Sequence, residues 1–528
     1  MTAPPKKSRL RRWLRWGLIG CAVLAIATAA AGWALWHNDQ QVQVTISPET
    51  TWIVEPLRDD GYVDYVAALN QHASDGVTPD NNAAVLYFRA MGPKEIASET
   101  SETFYKLLGI EPLATEGDYF VTIDRYIEEQ YPEIGDMEED VFYDAFHQAA
   151  ERPWSKKDHP LLAEWLAANE KPLRLVVEGS QRPQCYWPLV GSEEDTMVID
   201  VYSGGQRCLG FVRALRVRAM LDVDSGRIDK AWADLMTCHR LARLAGRGPS
   251  LIDALVAATI ESMACQAGAA LARHNDLSAE KAKQFAAELA ELPPLENIAD
   301  KIDVLERYVF LDSVGLAARI GPEAMLRSSG ELEESLENTV NRVLTNAIVD
   351  WDHVLKMAHP WYDDMAAAAR KPTRAERRQA VDEIMARLHV VEREAMDRNS
   401  LAKKFSSAAA SDSMAGFFIT LLMPSVPTHI DVADQATARR EMTRVAFVLA
   451  AYKADNGSYP ATLADLSPKY LAEVPPDIFS DGDFQYETTD DGYRLWSVGP
   501  NGVDDGGMGP DVEDHEGEGD DLLIATGR

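Results

Sequence analysis

The chain is short of the features that mark an active site. Its 11 histidines fall at no metal-ligand spacing, and its five cysteines include no C-x-x-C pair. HExxH, GxSxG, a P-loop and a GxGxxG opening a helix after a strand are all missing. These absences remove the motif-based readings as zinc protease, serine hydrolase and nucleotide or dinucleotide binder. Remaining groupings of titratable residues are Glu138-Glu139-Asp140, His147, His353, His359 and Asp363-Asp364. They read as solvated helix faces, the first as a helix start where carboxylates suit the positive end of the dipole.

Positive charge is also scarce. The formal net charge of −32 disfavours nucleic acid as a partner, because a polyphosphate would be repelled. The deficit is uneven. Nine carboxylates lie between Asp504 and Asp521 with no Lys or Arg among them, whereas Lys6, Lys7, Arg9, Arg11, Arg12 and Arg15 crowd the first 15 residues without an acid.

Charge of either sign is absent from Trp16 to Trp36. About 20 apolar residues span a hydrocarbon core. The tryptophans suit the two interfaces, and the basic flank holds residues 1–15 in the cytoplasm. The sequence therefore predicts a single-pass signal-anchor at 16–36 in the cytoplasmic (inner) membrane, with the bulk of the chain periplasmic. Other readings of this end stay open. Ala29, Ala30 and Ala31 offer a cleavage site, Leu18-Ile19-Gly20-Cys21 fits a lipoprotein signal, and Arg11-Arg12 faintly resembles a twin-arginine signal. The four cysteines beyond the span, Cys185, Cys208, Cys238 and Cys265, show no disulfide framework, and buried free thiols are expected.

What is abundant is helical patterning. A chain of 528 residues exceeds one core. After a linker at 37–54, segments at helical spacing recur with Gly- or Pro-marked joints, and an α-helical bundle body is expected over 55–410. Predicted helices include 161–169, 254–273, 278–292, 302–318, 331–350 and 374–393, while 171–207 reads as loop or a small β element. Gly226, Ala231, Leu235 and Cys238 loosely fit half of one tetratricopeptide repeat, but an antiparallel hairpin in a bundle explains them as well. Residues 411–429 form an apolar connector too short to span a membrane.

The most specific signal is at 430–528. An amphipathic run from Ala436 leads into Asn456-Gly457-Ser458-Tyr459-Pro460, then Pro468-Lys469-Tyr470-Leu471 and Val474-Pro475-Pro476-Asp477. Phe484-Gln485-Tyr486 and Tyr493-Arg494-Leu495-Trp496 alternate as a hairpin, followed by Ser497-Val498-Gly499 and the acidic glycine-rich tail. This order of parts resembles the soluble domain of the type II secretion major pseudopilins, as carried at the C-terminus of large bacterial membrane-anchored proteins. The prepilin cleavage signature is missing, which argues against filament assembly. The resemblance implies a small α+β domain with an antiparallel sheet, one helix packed on it through Phe447, Leu449 and Tyr452. It also implies a calcium-binding loop. Val498, Asn501, Asp504, Asp505, Asp520 and Asp521 are the expected metal ligands, with Asn501 where the family commonly has Asp. Calcium takes about six to eight oxygens from carboxylates, amides and carbonyls, and glycines allow the tight turns that aim them.

The expectation is thus a mainly α protein without catalytic residues. It would be a membrane-anchored envelope scaffold with an unidentified protein partner. The alternatives are an extracytoplasmic hydrolase with its site in the helical body and a secretion-system component.

Overall fold

A computed structural model describes residues 43–132, 136–191, 204–320, 345, 348–396, 406–423, 426–480, 482–490, 492–509 and 519–526. The expected span at 16–36, the basic segment before it and most of the helix expected over 331–350 lie outside these residues. Within them the chain is mainly helical, with a small antiparallel sheet region near the C-terminus.

Short helices come first: Tyr65–Ala73, Ala83–Met91, Ser101–Leu108, Ile123–Gln130, Asp136–Glu151, Pro160–Ala168 and Glu170–Gly179. Longer ones follow, labelled α1 (Cys208–Asp224), α2 (Ile228–Ala245), α3 (Leu251–Ala272) and α4 (Ala279–Glu291). Next are α5 (Arg307–Ile320), α6 (Trp351–Ala369), α7 (Arg374–Met396), α8 (Ser407–Leu422) and α9 (Val426–Asn456). A helical lead-in at Ala299–Lys301 and a π-helical stretch at Ile302–Glu306 precede α5. The strands are β1 (Pro476–Asp477), β2 (Gly482–Asp483), β3 (Gln485–Thr488), β4 (Tyr493–Ser497) and β5 (Leu522–Ala525).

The described residues divide into two compact units. One draws on the described residues within 43–65, 308–361 and 387–422, the other on those within 66–307, 362–386 and 423–526. In the first, Tyr65 packs tilted on Tyr308 with ring centroids 4.9 Å apart, and Phe310 meets Phe418 at 6.1 Å. Its polar ties include Thr45 N to Asp352 Oδ1 at 2.7 Å and Arg319 to Asp60 at 2.6 Å.

The second unit holds the longer helices and the sheet. Gly226 turns the chain between α1 and α2 with φ 69°, a conformation glycine adopts without steric cost. Arg218 and Asp234 then pair through two 2.7 Å bonds across that hairpin. The start of α3 is fixed by a capping box, Ser250 with Asp253. Ser278 caps α4 by accepting from Lys281 N. The segment around Leu173-Arg174-Leu175-Val176-Val177 is a helix, not a β element. Leu173 and Val176, three apart, are both fully buried, so a helical period wins over β-branched propensity.

One hydrophobic core runs from Ala83 through α1–α4 and α9 into β4 and β5. The helix α9 explains this continuity. It packs on α3 and α4 and also touches β4 and β5, and it is buried around most of its circumference over Met442–Ala451. A helix apolar on all sides belongs in an interior. Phe447 was expected on the sheet. It instead meets Trp232 at 5.2 Å and Phe285 at 5.7 Å, where Trp232 and Phe285 stack at 4.3 Å. Thr443 lies against Gly268 of α3, which is why that helix can approach closely. The C-terminal hairpin forms as expected, with Tyr486 opposite Leu495 and β5 added on the far side of β4, Leu495 opposite Ile524.

Among the described residues, two stretches are long and apolar enough to cross a membrane by length and composition, Leu251–Ala272 and Ser407–Asn456. In α3 the buried Asp253 and Glu261 are paired within the protein, which suits a core helix.

Candidate functional site

The sheet register builds the candidate site. In the antiparallel β4–β5 pair Ser497 lies opposite Leu522. Residues leaving β4 therefore meet residues entering β5, although about 20 positions separate them in sequence. Asp520 and Asp521 arrive from the β5 side. The loop after β4 supplies Gly499 to Gly507.

Carboxylate oxygens of Asp505, Asp520 and Asp521 lie within 4.8 Å of one another. Asp521 is fully buried. Its Oδ2 accepts from Gly507 N at 2.7 Å and Asp505 N at 3.0 Å, while its Oδ1 is buried without a hydrogen-bond partner. Asp520 repeats the pattern: Oδ2 accepts from Asn501 N at 2.9 Å and Oδ1 is buried and unpartnered. Two acceptor oxygens left bare are costly unless something positive meets them. Burial, with Asp505 alongside, raises the carboxyls of both Asp520 and Asp521 from their ordinary value. Asn501 N–H and Arg374 draw Asp520 down, and the Gly507 and Asp505 amides draw Asp521 down, without reversing either shift.

The backbone is shaped for this gathering. Gly499 has φ 66°, and a side chain there would run into the main chain and carboxylate of Asp520. Arg494 holds the loop by donating to Gly506 O at 2.7 Å and to Glu487 at 2.8 Å.

Not every expected ligand joins the group. Asp504 Oδ1 accepts from Trp496 Nε1 at 2.9 Å and Gly506 N at 3.0 Å, so it anchors the loop to β4. The Asn501 amide oxygen accepts from Val503 N at 2.6 Å, and its nitrogen donates to Asp505 Oδ2 at 3.2 Å. Val498 is buried, with its N–H donated to Asp477 Oδ2 at 3.0 Å.

Asp477 and Arg374 are positioning residues that the sequence reading passes over. Asp477 is fully buried in β1. It accepts from Ser497 Oγ at 2.8 Å and Phe479 N at 3.1 Å as well as from Val498, locking the end of β4. Its one sequence cue is an acidic residue straight after Pro475-Pro476. Arg374 donates to Pro500 O at 3.2 Å from a helix more than a hundred residues away, and local sequence carries no cue to that.

A second cluster sits between α2 and α3. His239, Glu261 and Cys265 are all buried with ligand atoms within 4.8 Å of one another. Here a cation is already present. Arg243 engages both oxygens of Glu261, and His239 Nδ1 lies 3.0 Å from Oε2. Burial alone would raise the Glu261 carboxyl, yet His239 and Arg243 pull it down to about 2. Burial pushes the Cys265 thiol up, away from the thiolate a metal needs. This is an internal ion network.

The side chains of Glu138-Glu139-Asp140 lie outside the described residues, and His353, His359 and Asp363 engage separate partners. His353 pairs with Asp412 at 2.7 Å, His359 meets Thr50 O at 3.2 Å, and Asp363 pairs with Arg307 at 2.7 Å. Cys185, Cys208, Cys238 and Cys265 are free thiols.

Comparison with family models, with curated proteins and with solved structures returned no match.

Proposed function

We propose that this chain is a non-catalytic, membrane-anchored envelope protein. Its helical body serves as an interaction scaffold, and its C-terminal α+β region is stabilised by calcium in the manner of the pseudopilin domains it resembles. The observation that carries this reading is the trio Asp505, Asp520 and Asp521, with two buried oxygens that have no hydrogen-bond partner among the described residues. Hard oxygen donors without a thiolate or imidazole suit calcium over a transition metal. Asp505, Asp520 and Asp521 would hold the ion, with backbone carbonyls and water completing the shell. The bound ion would offset the mutual repulsion of three carboxylates and order the loop between β4 and β5. The long helix followed by an antiparallel β3-β4-β5 sheet suits the same resemblance. The role assigned to the ion in this reading is structural, the ordering of the loop.

Calorimetric titration of the detergent-extracted full chain with calcium is expected to show one saturable site. Heat indistinguishable from dilution would remove the calcium reading.

The membrane assignment rests on the uncharged run at 16–36 with its basic flank. A C-terminal fusion to a reporter that works only in the cytoplasm is expected to be inactive. A fully active fusion would place the body on the other side and end the envelope reading.

A further inference from the structure

The peptide unit between Pro500 and Asn501 faces two ways. Its N–H donates to Asp520 Oδ2 at 2.9 Å, inside the carboxylate trio. Its carbonyl accepts from Arg374 Nη2 at 3.2 Å, outside it. Arg374 is the first residue of α7 and is largely buried, with its side chain 10% exposed. It donates to Asp431 Oδ1 and to Asp434 Oδ2, each at 2.8 Å, both on α9. Its guanidinium also lies over the Phe479 ring, 4.3 Å from the centroid. Arg377 adds a 2.7 Å bond to the other Asp434 oxygen. One planar side chain thus ties the first turn of α7, the acidic face of α9, the β1–β2 connection and the acidic loop together. A guanidinium suits this role because its donors sit in a rigid fork.

We propose that Arg374 is a positioning residue that couples occupancy of the acidic site to the seating of the first turns of α7 on α9. This rests on the calcium reading given above. Without a cation the carboxylates of Asp505, Asp520 and Asp521, gathered within 4.8 Å, repel one another. Asp520 swings outward and takes the Asn501 N–H with it. The same peptide plane then turns its carbonyl off Arg374. With the cation bound, Asp520 is drawn in, the plane is fixed, and Arg374 is held by all its acceptors at once. The coupling is reciprocal: a seated α7 prepares the loop for the ion, and a bound ion holds α7. Calcium would then govern how firmly a helix of the body is docked, beyond ordering its own loop.

Hydrogen–deuterium exchange on the full chain, with and without calcium, tests this. In the wild type, calcium is expected to slow exchange by about tenfold or more in two places, the loop 499–509 and the helix start 374–386. In Arg374→Gln the loop response persists and the helix response disappears. Arg374→Lys keeps the charge without the fork and is expected to lose most of the helix response too. Arg378→Gln is the control. Its side chain is 52% exposed and reaches Asp431 at 3.4 Å but has no bond to the loop, so both responses are expected to survive. Loop protection without helix protection in the wild type would overturn the coupling and leave the calcium reading intact. So would a helix response that persists in Arg374→Gln. No response anywhere would overturn both. Should Arg374→Gln fail to fold, the comparison of Arg374→Lys with Arg378→Gln decides.

Discussion

Glu261→Ala is expected to destabilise the chain by about 3–5 kcal/mol, the range for breaking a buried ion pair from one side. Glu261 is 1% exposed and His239 is fully buried. Removing the carboxylate strands the Arg243 guanidinium, which among the described residues keeps His239 O at 2.8 Å and Pro293 O at 2.9 Å. The damage lies in the desolvated charge left behind. For the same reason, joint replacement of His239, Arg243 and Glu261 by apolar residues of similar volume should cost far less than Glu261→Ala alone. The pH dependence has a definite sign. The folded carboxyl is held at about 2 against an ordinary 4.5, so the folded state binds fewer protons than the unfolded chain between those values. Its stabilisation, on the order of 3 kcal/mol, is complete above about pH 4.5 and is lost as the pH falls toward 2. The check is the denaturation midpoint at pH 7 and at pH 3 for wild type and Glu261→Gln. The wild type should fall more steeply than the variant, and parallel curves would show that Glu261 is not the linked group.

This network shows why sequence reading stops where it does. Helical periods, the Gly226 turn and the 485–497 hairpin depend on neighbours within a few residues, and each is legible. The pairing of Glu261 with Arg243 depends on which faces of two helices meet, and nothing local reports that. Phe447 shows the same limit. The apolar positions of α9 announce burial, but not whether the helix bodies or the sheet cover a given residue, and here Trp232 and Phe285 take it. The break expected between 410 and 430 follows a change in composition, yet α9 shares its core with α1–α4. In the candidate site, Asp505, Asp520 and Asp521 are three of the six ligands that the pseudopilin resemblance implies, and the density of carboxylates in the tail was legible by itself. The engagement of Asp504 by Trp496 and the reach of Arg374 were not, because both arise from β4 register and helix packing.

Asp521→Asn is expected to abolish the stabilisation that calcium gives, and to do so without weakening the calcium-free protein. With calcium 100-fold above its dissociation constant, binding to the folded state alone adds about 2.7 kcal/mol, which appears as a higher melting temperature. Asp521 is the most buried member of the trio and supplies an oxygen with no other partner. Asparagine fills the same space and keeps an oxygen for the Gly507 and Asp505 amides, but it removes one unit of negative charge from the shell. In chelator the loss of charge relieves repulsion against Asp505 and Asp520, so the variant should melt at or above the wild type. In calcium it should melt below it. A merely structural role for Asp521 predicts the opposite in chelator, a loss in both buffers. Asp504→Asn provides the contrast. Its carboxylate serves Trp496 and Gly506, so the calcium shift should survive while both melting temperatures fall slightly. Differential scanning calorimetry of the three full-length proteins in calcium and in chelator reads all of this. If Asp521→Asn keeps the wild-type calcium shift, the ion is not held by this trio. If Asp504→Asn alone loses the shift, the ligand set lies on the other side of the loop.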